Sequence, residues 1–243
     1  VSLLVAAEPC GLPALRPGAF PWRTGEVLQF DLEVMGMVKA GTLSLEVGRP
    51  MFEGTQVPFK ARVKNTSVFA KIRRIVGGAF SWVDARTLLP ERYRDEVLED
   101  GVRKTSDARL RADASSVVIE TWFGDQKGST PYVRQGEVLD ALSAAYYLRA
   151  ADLKPGQDLC FDVVGNRRYW RFQGKVAAKT ERVDTAGGLF DTLRIDGAIE
   201  RADKPGAKRP LHVWISTDAR RVLVGAVSEI DLGPVSALLS RPP

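Results

Sequence analysis

The stretch Val27-Leu28-Gln29-Phe30-Asp31-Leu32-Glu33-Val34 decides the fold class, because Leu28, Phe30, Leu32 and Val34 alternate with Gln29, Asp31 and Glu33. A period of two turns the apolar side chains of an extended chain to one face and the polar ones to the other, so this is a half-buried strand. The signal repeats downstream. Leu43, Leu45 and Val47 alternate with Ser44 and Glu46 after a turn region holding Gly36 and Gly41, and the two strands are expected to pair as a hairpin. Val57, Phe59, Ala61 and Val63 alternate with Lys60, Arg62 and Lys64, with Pro58 marking an edge or a bulge.

Further along, Thr66 or Ser67 caps a predicted short helix over residues 67–76, with Val68, Ile72 and Ile75 at helical spacing and Gly77-Gly78 at its end. Strands are predicted over 79–84, 92–98, 102–110 and 116–122, with Asp100-Gly101 as a hairpin turn. A longer helix is predicted over 137–151. There Val138, Leu142 and Ala145 share a face with Leu139 and Tyr146 nearby, and Lys154-Pro155-Gly156 ends the helix. Beyond it Leu159, Phe161 and Val163 start a strand that turns at Gly165-Asn166 and returns through Arg168, Trp170 and Phe172. Four more strands are predicted over 176–183, 190–197, 211–216 and 222–232.

About ten strands with short turns exclude a doubly wound parallel sheet, which needs a helix between strands. The expected fold is mainly β: one antiparallel sheet curled into an open barrel or β-spiral, with the longer helix covering an opening. Leu28, Phe30, Leu32, Leu43, Leu45 and Phe59 are expected on its concave side, with Leu142 and Tyr146 closing over them.

Upstream of the first strand, Pro9, Pro13, Pro17 and Pro21 resist both helix and sheet, so residues 1–21 read as an arm and 22–243 as one β domain. The arm begins with an apolar segment, Val1 to Ala7, whose Val5-Ala6-Ala7 end has the small-residue character of a signal-peptide cleavage site, and export is expected. Cys10 and Cys160 are the only two cysteines, and in an exported chain they are expected to form one disulfide.

The net charge of +5 comes from small basic groups, Lys71-Arg73-Arg74, Arg167-Arg168-Arg171, Lys204-Lys208-Arg209 and Arg220-Arg221. They lie beside turns or on polar strand faces and make no helical stripe, which speaks for a solvated surface and against nucleic acid. No apolar run approaches the ~20 residues of a membrane-spanning helix.

Several segments, taken together, resemble a known bacterial family, the domain of unknown function 3108. They are Gly25-Glu26-Val27-Leu28, Lys39-Ala40-Gly41, the run from Asp140 to Arg149 with its Tyr146-Tyr147-Leu148-Arg149 end, Gly187 to Thr192, and Val213-Trp214-Ile215-Ser216-Thr217-Asp218. The resemblance implies a periplasmic or otherwise secreted protein with a curled sheet like those of envelope lipoprotein carriers. It carries no activity and gives no residue a catalytic role.

The residues themselves agree in offering little chemistry. His212 is the only histidine and sits in a strand, which nearly removes triads and histidine metal sites and leaves a surface or hydrogen-bonded role. The pairs Asp95-Glu96 and Glu99-Asp100 are assigned to solvent, and Asp218 to a turn. Gly77-Gly78 and Gly187-Gly188 lack the strand, helix and Lys of a phosphate loop. Arg149, at the helix end, is expected to join helix and sheet through a carboxylate. No catalytic residue, metal or cofactor is expected. The aromatic side chains are expected mostly in the core, and a gap in the curled sheet would make Phe30, Phe59, Leu142, Tyr146, Trp170 and Trp214 an apolar ligand pocket. The function expected is non-enzymatic: an envelope protein that binds a lipid-like apolar molecule or an envelope protein. The alternatives are a purely structural module and a carboxylate-dependent hydrolase of envelope polymers.

Overall fold

The alternation read from the sequence becomes a single sheet in the computed structural model, which describes residues 11–36, 38–110, 114–134, 136–230 and 233–243. Eight strands form an antiparallel meander: β1 (Val27–Val34), β2 (Val38–Val47), β3 (Gln56–Asn65), β4 (Ile75–Asp84), β5 (Pro90–Glu99), β6 (Val102–Arg109), β7 (Ser116–Phe123) and β8 (Gln126–Val133). The chain then runs through β9 (Val138–Asp140) into the helix α1 (Ala141–Ala150). The second half contains β10 (Asp158–Gly165), β11 (Arg168–Val176), β12 (Glu181–Thr185), β13 (Gly188–Arg201), β14 (Lys208–Ser216), β15 (Leu223–Ile230) and β16 (Gly233–Leu239).

The last strand pairs with the first, Phe30 opposite Leu239 and Val34 opposite Val235, so the two halves join at mid-sheet. The strand order is β8-β7-β6-β5-β4-β3-β2-β1-β16-β15-β14-β13-β11-β10-β9, with β12 added to β13. The ends of this order do not pair, and the sheet stays open. Its ends nevertheless curl together: Tyr132 of β8 stacks on Tyr169 of β11 with ring centroids 5.1 Å apart.

Inward residues of both halves make one core that includes Leu28, Phe30, Leu45, Phe59, Ile119, Ile195 and Ile215. Leu142 and Tyr146 belong to it, and Tyr146 stacks on Phe59 at 3.9 Å. The arm packs there too: Tyr147 donates its hydroxyl to the Pro13 carbonyl (2.9 Å), and Arg16 and Ala14 bond the backbone of Ala150 and Asp152. Residues 1–7 and Cys10 lie outside the described residues.

The structure corrects several local expectations. The helix begins at Ala141, not at 137, because Asp140 is extended (φ −104°, ψ 173°) and its side chain accepts from the Leu142 and Ser143 amides as a cap. Val138 to Asp140 instead form a short strand parallel to Asp162–Val164, the one parallel pairing among the described strands. The predicted helix over 67–76 is only a 3-10 turn, Phe69–Lys71. Gly77 and Gly78 lie inside β4, where a Cβ would come within 2.4 Å of the Glu96 carbonyl or 2.6 Å of the Ala61 carbonyl. Pro58 sits in an interior strand, one residue past the last β2–β3 pair, Val47 opposite Phe59. Asp95 is not in solvent: β5 turns Tyr93 and Asp95 inward together.

Candidate functional site

Helix α1 has two faces of different character. Leu142, Tyr146 and Arg149, spaced i, i+4, i+7, are buried and turn toward the first half of the sheet. Ala141, Ala144, Ala145 and Leu148, spaced i, i+3, i+4, i+7, make a second stripe toward the concave face of β10–β15. Three of these four side chains are single methyl groups. They cannot reach the sheet, and a cleft of about 380 Å³ is left between them.

The floor of the cleft follows from register. Val163 is paired with Trp170, Phe172 with Ile199, and Val213 with Ala226, so alternate positions on five strands share one apolar surface. Gly174 and Gly197 face each other beside it, and a Cβ on either would lie 2.6–2.7 Å from the Phe172 ring. The indole Nε1 of Trp170 donates to the Gly165 carbonyl (2.9 Å), which satisfies its polar atom and leaves the ring as an apolar wall. Polar groups occur among the described lining residues only as Asn166, Arg209, Ser228 and Glu229. The Arg209 guanidinium lies 5.9 Å from the Trp170 ring.

Of the six side chains expected to line a pocket, the structure brings Trp170 to this cleft. Phe30, Phe59, Leu142 and Tyr146 pack with one another in the core beyond the helix. Trp214 points to the outer face, since Val213 and Ile215 take the inner one, and its Nε1 donates to the Glu181 carboxylate. His212 shares that outer face, with Nδ1 2.6 Å from Asp196 Oδ1. The alanine stripe is visible in the sequence as small residues at helical spacing, but small apolar side chains alone do not distinguish a packed face from one that leaves space.

Arg149 is the strongest polar feature near the cleft. It is 1% exposed, its Nη1 and Nη2 reach Glu26 Oε1 and Oε2 at 2.6 and 3.1 Å, and its Nε donates to the Arg221 carbonyl at 2.8 Å. Its Nη2 also donates to the Arg220 carbonyl (3.2 Å), and the guanidinium lies 5.3 Å from the Trp22 ring. Asp218 holds the turn that presents those carbonyls, accepting from the Arg221 amide and from Ser216 Oγ. Gly25-Glu26, the helix end and the Ser216-Thr217-Asp218 turn thus meet at one guanidinium. The expected helix-to-sheet carboxylate is Glu26, just before β1.

At the other end of α1, Asp140 is fully buried. Burial raises its carboxyl to about 6, against hydrogen bonds from Ser81 and from Ser143 and Leu142 that favour the charged form. Ser81 Oγ donates to Asp140 Oδ2 at 2.5 Å, joining β4 to the helix cap. Burial also raises Asp95, with Ser106 and the Arg167 charge opposing it.

Solved structures with this architecture are known. Over 94% of this chain and 98% of the other, it is similar to a beta-barrel-like protein of domain of unknown function DUF1849 from Brucella abortus, with a TM-score of 0.61 and 10% identity. Looser likenesses are to a protein assigned as exported, with a YmcC-like fold, from Bacteroides fragilis (TM-score 0.37, 14% identity, 91% and 97% covered) and to one assigned as a lipoprotein from Parabacteroides distasonis (0.38, 9%, 91% and 96%). The first of these likenesses concerns the fold alone. No curated protein matches the sequence. The model of one family, described as Protein of unknown function (DUF3108), matches residues 29–240, nearly the whole chain, and the protein belongs to that family.

Proposed function

We propose that this chain is a non-enzymatic protein of the bacterial cell envelope that holds an apolar molecule in the cleft between α1 and β10–β15. The observation that carries this reading is the cleft itself. Its volume of about 380 Å³ falls in the range of small-ligand sites, and its walls are aromatic and aliphatic with a few polar groups at hand to orient a ligand. Among the described lining residues there is one carboxylate, Glu229, and no histidine or cysteine, a poor set for acid–base or nucleophilic chemistry. Export is supported by the small-residue end of the apolar segment Val1 to Ala7. A Cys10–Cys160 disulfide is part of the same reading, supported by the antiparallel bridge of Gly11, the residue after Cys10, to Cys160. Thiol labelling of exported, denatured protein should find no free thiol, and two would refute the bond.

The test of the cleft uses the neutral fluorophore N-phenyl-1-naphthylamine. It should bind saturably at one site, and Ala145→Phe, which places a ring in the cleft, should abolish the signal while thermal unfolding stays cooperative. Failure of the wild type to bind, or equal binding by the variant, would refute the assignment.

A further inference from the structure

Basic charge and exposed apolar side chains meet at one end of the sheet, in the β3–β4 connection and the β5–β6 hairpin beside it. In the β3–β4 connection Thr66 Oγ1 donates to the Lys39 carbonyl (3.0 Å) and accepts from the Phe69 amide (3.2 Å). Phe69 is buried against Val34 and Ala40, which anchors the turn to the end of the sheet. The amides of Ala70 and Arg73 bond the carbonyls four residues back, so Val68 and Ile72, also four apart, lie on one helical face. That face has no cover: Val68 is 68% exposed and Ile72 is 71% exposed.

The turn is fastened to the β5–β6 hairpin beside it. The Arg74 amide donates to Asp100 Oδ1 (2.7 Å), the Asp100 amide donates to the Arg74 carbonyl (2.9 Å), and Glu99 pairs with both Arg73 and Lys104. The hairpin adds two more exposed apolar side chains, Leu98 and Val102, and Val76, opposite Leu98 across β4 and β5, is exposed as well. Residues 62–76 and 96–104 hold seven Lys and Arg against three Asp and Glu, in a chain whose whole net charge is +5. Arg62, Lys64, Lys71 and Arg74 make no side-chain ion pair among the described residues.

We infer that this end of the sheet docks on an anionic lipid bilayer, with Val68 and Ile72 entering the headgroup layer and Lys64, Lys71 and Arg74 lying against the lipid phosphates. Uncovered apolar side chains at a tip, ringed by unpaired cations, are what an interfacial membrane site requires, and anionic lipid complements the charge. A protein groove would demand a shape partner for the apolar tip, whereas a bilayer accepts any convex one. A buried anchor such as Phe69 lets the tip be pressed into the interface without unfolding.

The measurement is co-flotation of the full chain with phosphatidylcholine vesicles that contain or lack phosphatidylglycerol. Binding should require phosphatidylglycerol and weaken steeply as salt shortens the screening length. Lys71→Gln/Arg74→Gln should bind about 25-fold more weakly, from roughly five-fold per lost cation, and Val68→Ser/Ile72→Ser about ten-fold or more. All four positions are exposed, so melting temperatures should match the wild type. N-phenyl-1-naphthylamine binding should also be unchanged, which separates this surface from the cleft. No flotation with anionic vesicles, equal flotation with neutral ones, or wild-type flotation of Val68→Ser/Ile72→Ser would overturn the proposal. So would a dimer in light scattering that this double variant dissociates, which would make the face a contact between two copies.

Discussion

Arg149 and Asp140 bracket α1, and each ties it to the sheet by a different physical means. Arg149 is a buried cation whose donors face a bidentate carboxylate and two main-chain carbonyls. Removing one partner of such an arrangement leaves the others stranded, so Arg149→Met should lower stability by about 3–5 kcal/mol in urea unfolding. Lysine keeps the charge but not the planar fork, and Arg149→Lys should recover only part of this loss. A lysine variant as stable as the wild type would show that charge alone matters. Asp140 works in the opposite sense. Its carboxyl sits at about 6 in the folded protein against an ordinary 3.8, so between these values the folded chain holds a proton that the unfolded chain has released. Stability therefore rises as pH falls from 7 through 6, by about 1 kcal/mol at pH 5, or roughly 2–4 °C in Tm for a chain of this size. Asparagine still caps a helix but carries no charge. Asp140→Asn should lose this contribution and keep only what the raised Asp95 adds, and identical pH profiles for variant and wild type would contradict the assignment.

At the level of elements, what could be read from the sequence depended on whether each strand has one wet and one dry face. β1 to β3 do, and their alternation named Leu28, Phe30, Leu32, Leu43, Leu45 and Phe59; Leu28, Phe30, Leu45 and Phe59 are buried, while Leu32 and Leu43 are half-buried, Leu43 packing against the core. β8 was unreadable for the opposite reason. It is the sheet's edge, almost wholly exposed, and its Lys127 and Pro131 suit an edge that must not pair further. Val138 and Leu139 are both buried, so no alternation marks β9, and their spacing to Leu142 imitates a helical stripe. The two faces of α1 were harder still, since alanine counts as apolar in either direction and only the register of β10–β15 shows what it faces. That division makes a prediction. Leu142→Ala, on the packed face, should cost about 2–5 kcal/mol of stability and leave N-phenyl-1-naphthylamine affinity intact in conditions where the variant is folded. Lost affinity in the folded variant would mean that the two faces are not independent.

Across the whole molecule the two halves of the sheet serve different purposes. The meander β1–β8 encloses a packed interior with the far side of α1, while β10–β15 curve around the alanine stripe and leave space. Pairing of β1 with β16 makes the two halves one sheet, so a ligand held in the second half is framed by a core built largely in the first. The length and apolar content of the chain made such a core legible, but a void is a difference between packed surfaces and has no signature in composition. Native mass spectrometry of the protein purified from the cells that make it tests the ligand directly. The account predicts a retained non-covalent mass of a few hundred daltons in the wild type, lost on gentle activation and absent from Ala145→Phe. A wild-type protein that flies at its bare polypeptide mass and binds no apolar molecule offered to it, or an Ala145→Phe variant with the same adduct, would contradict it.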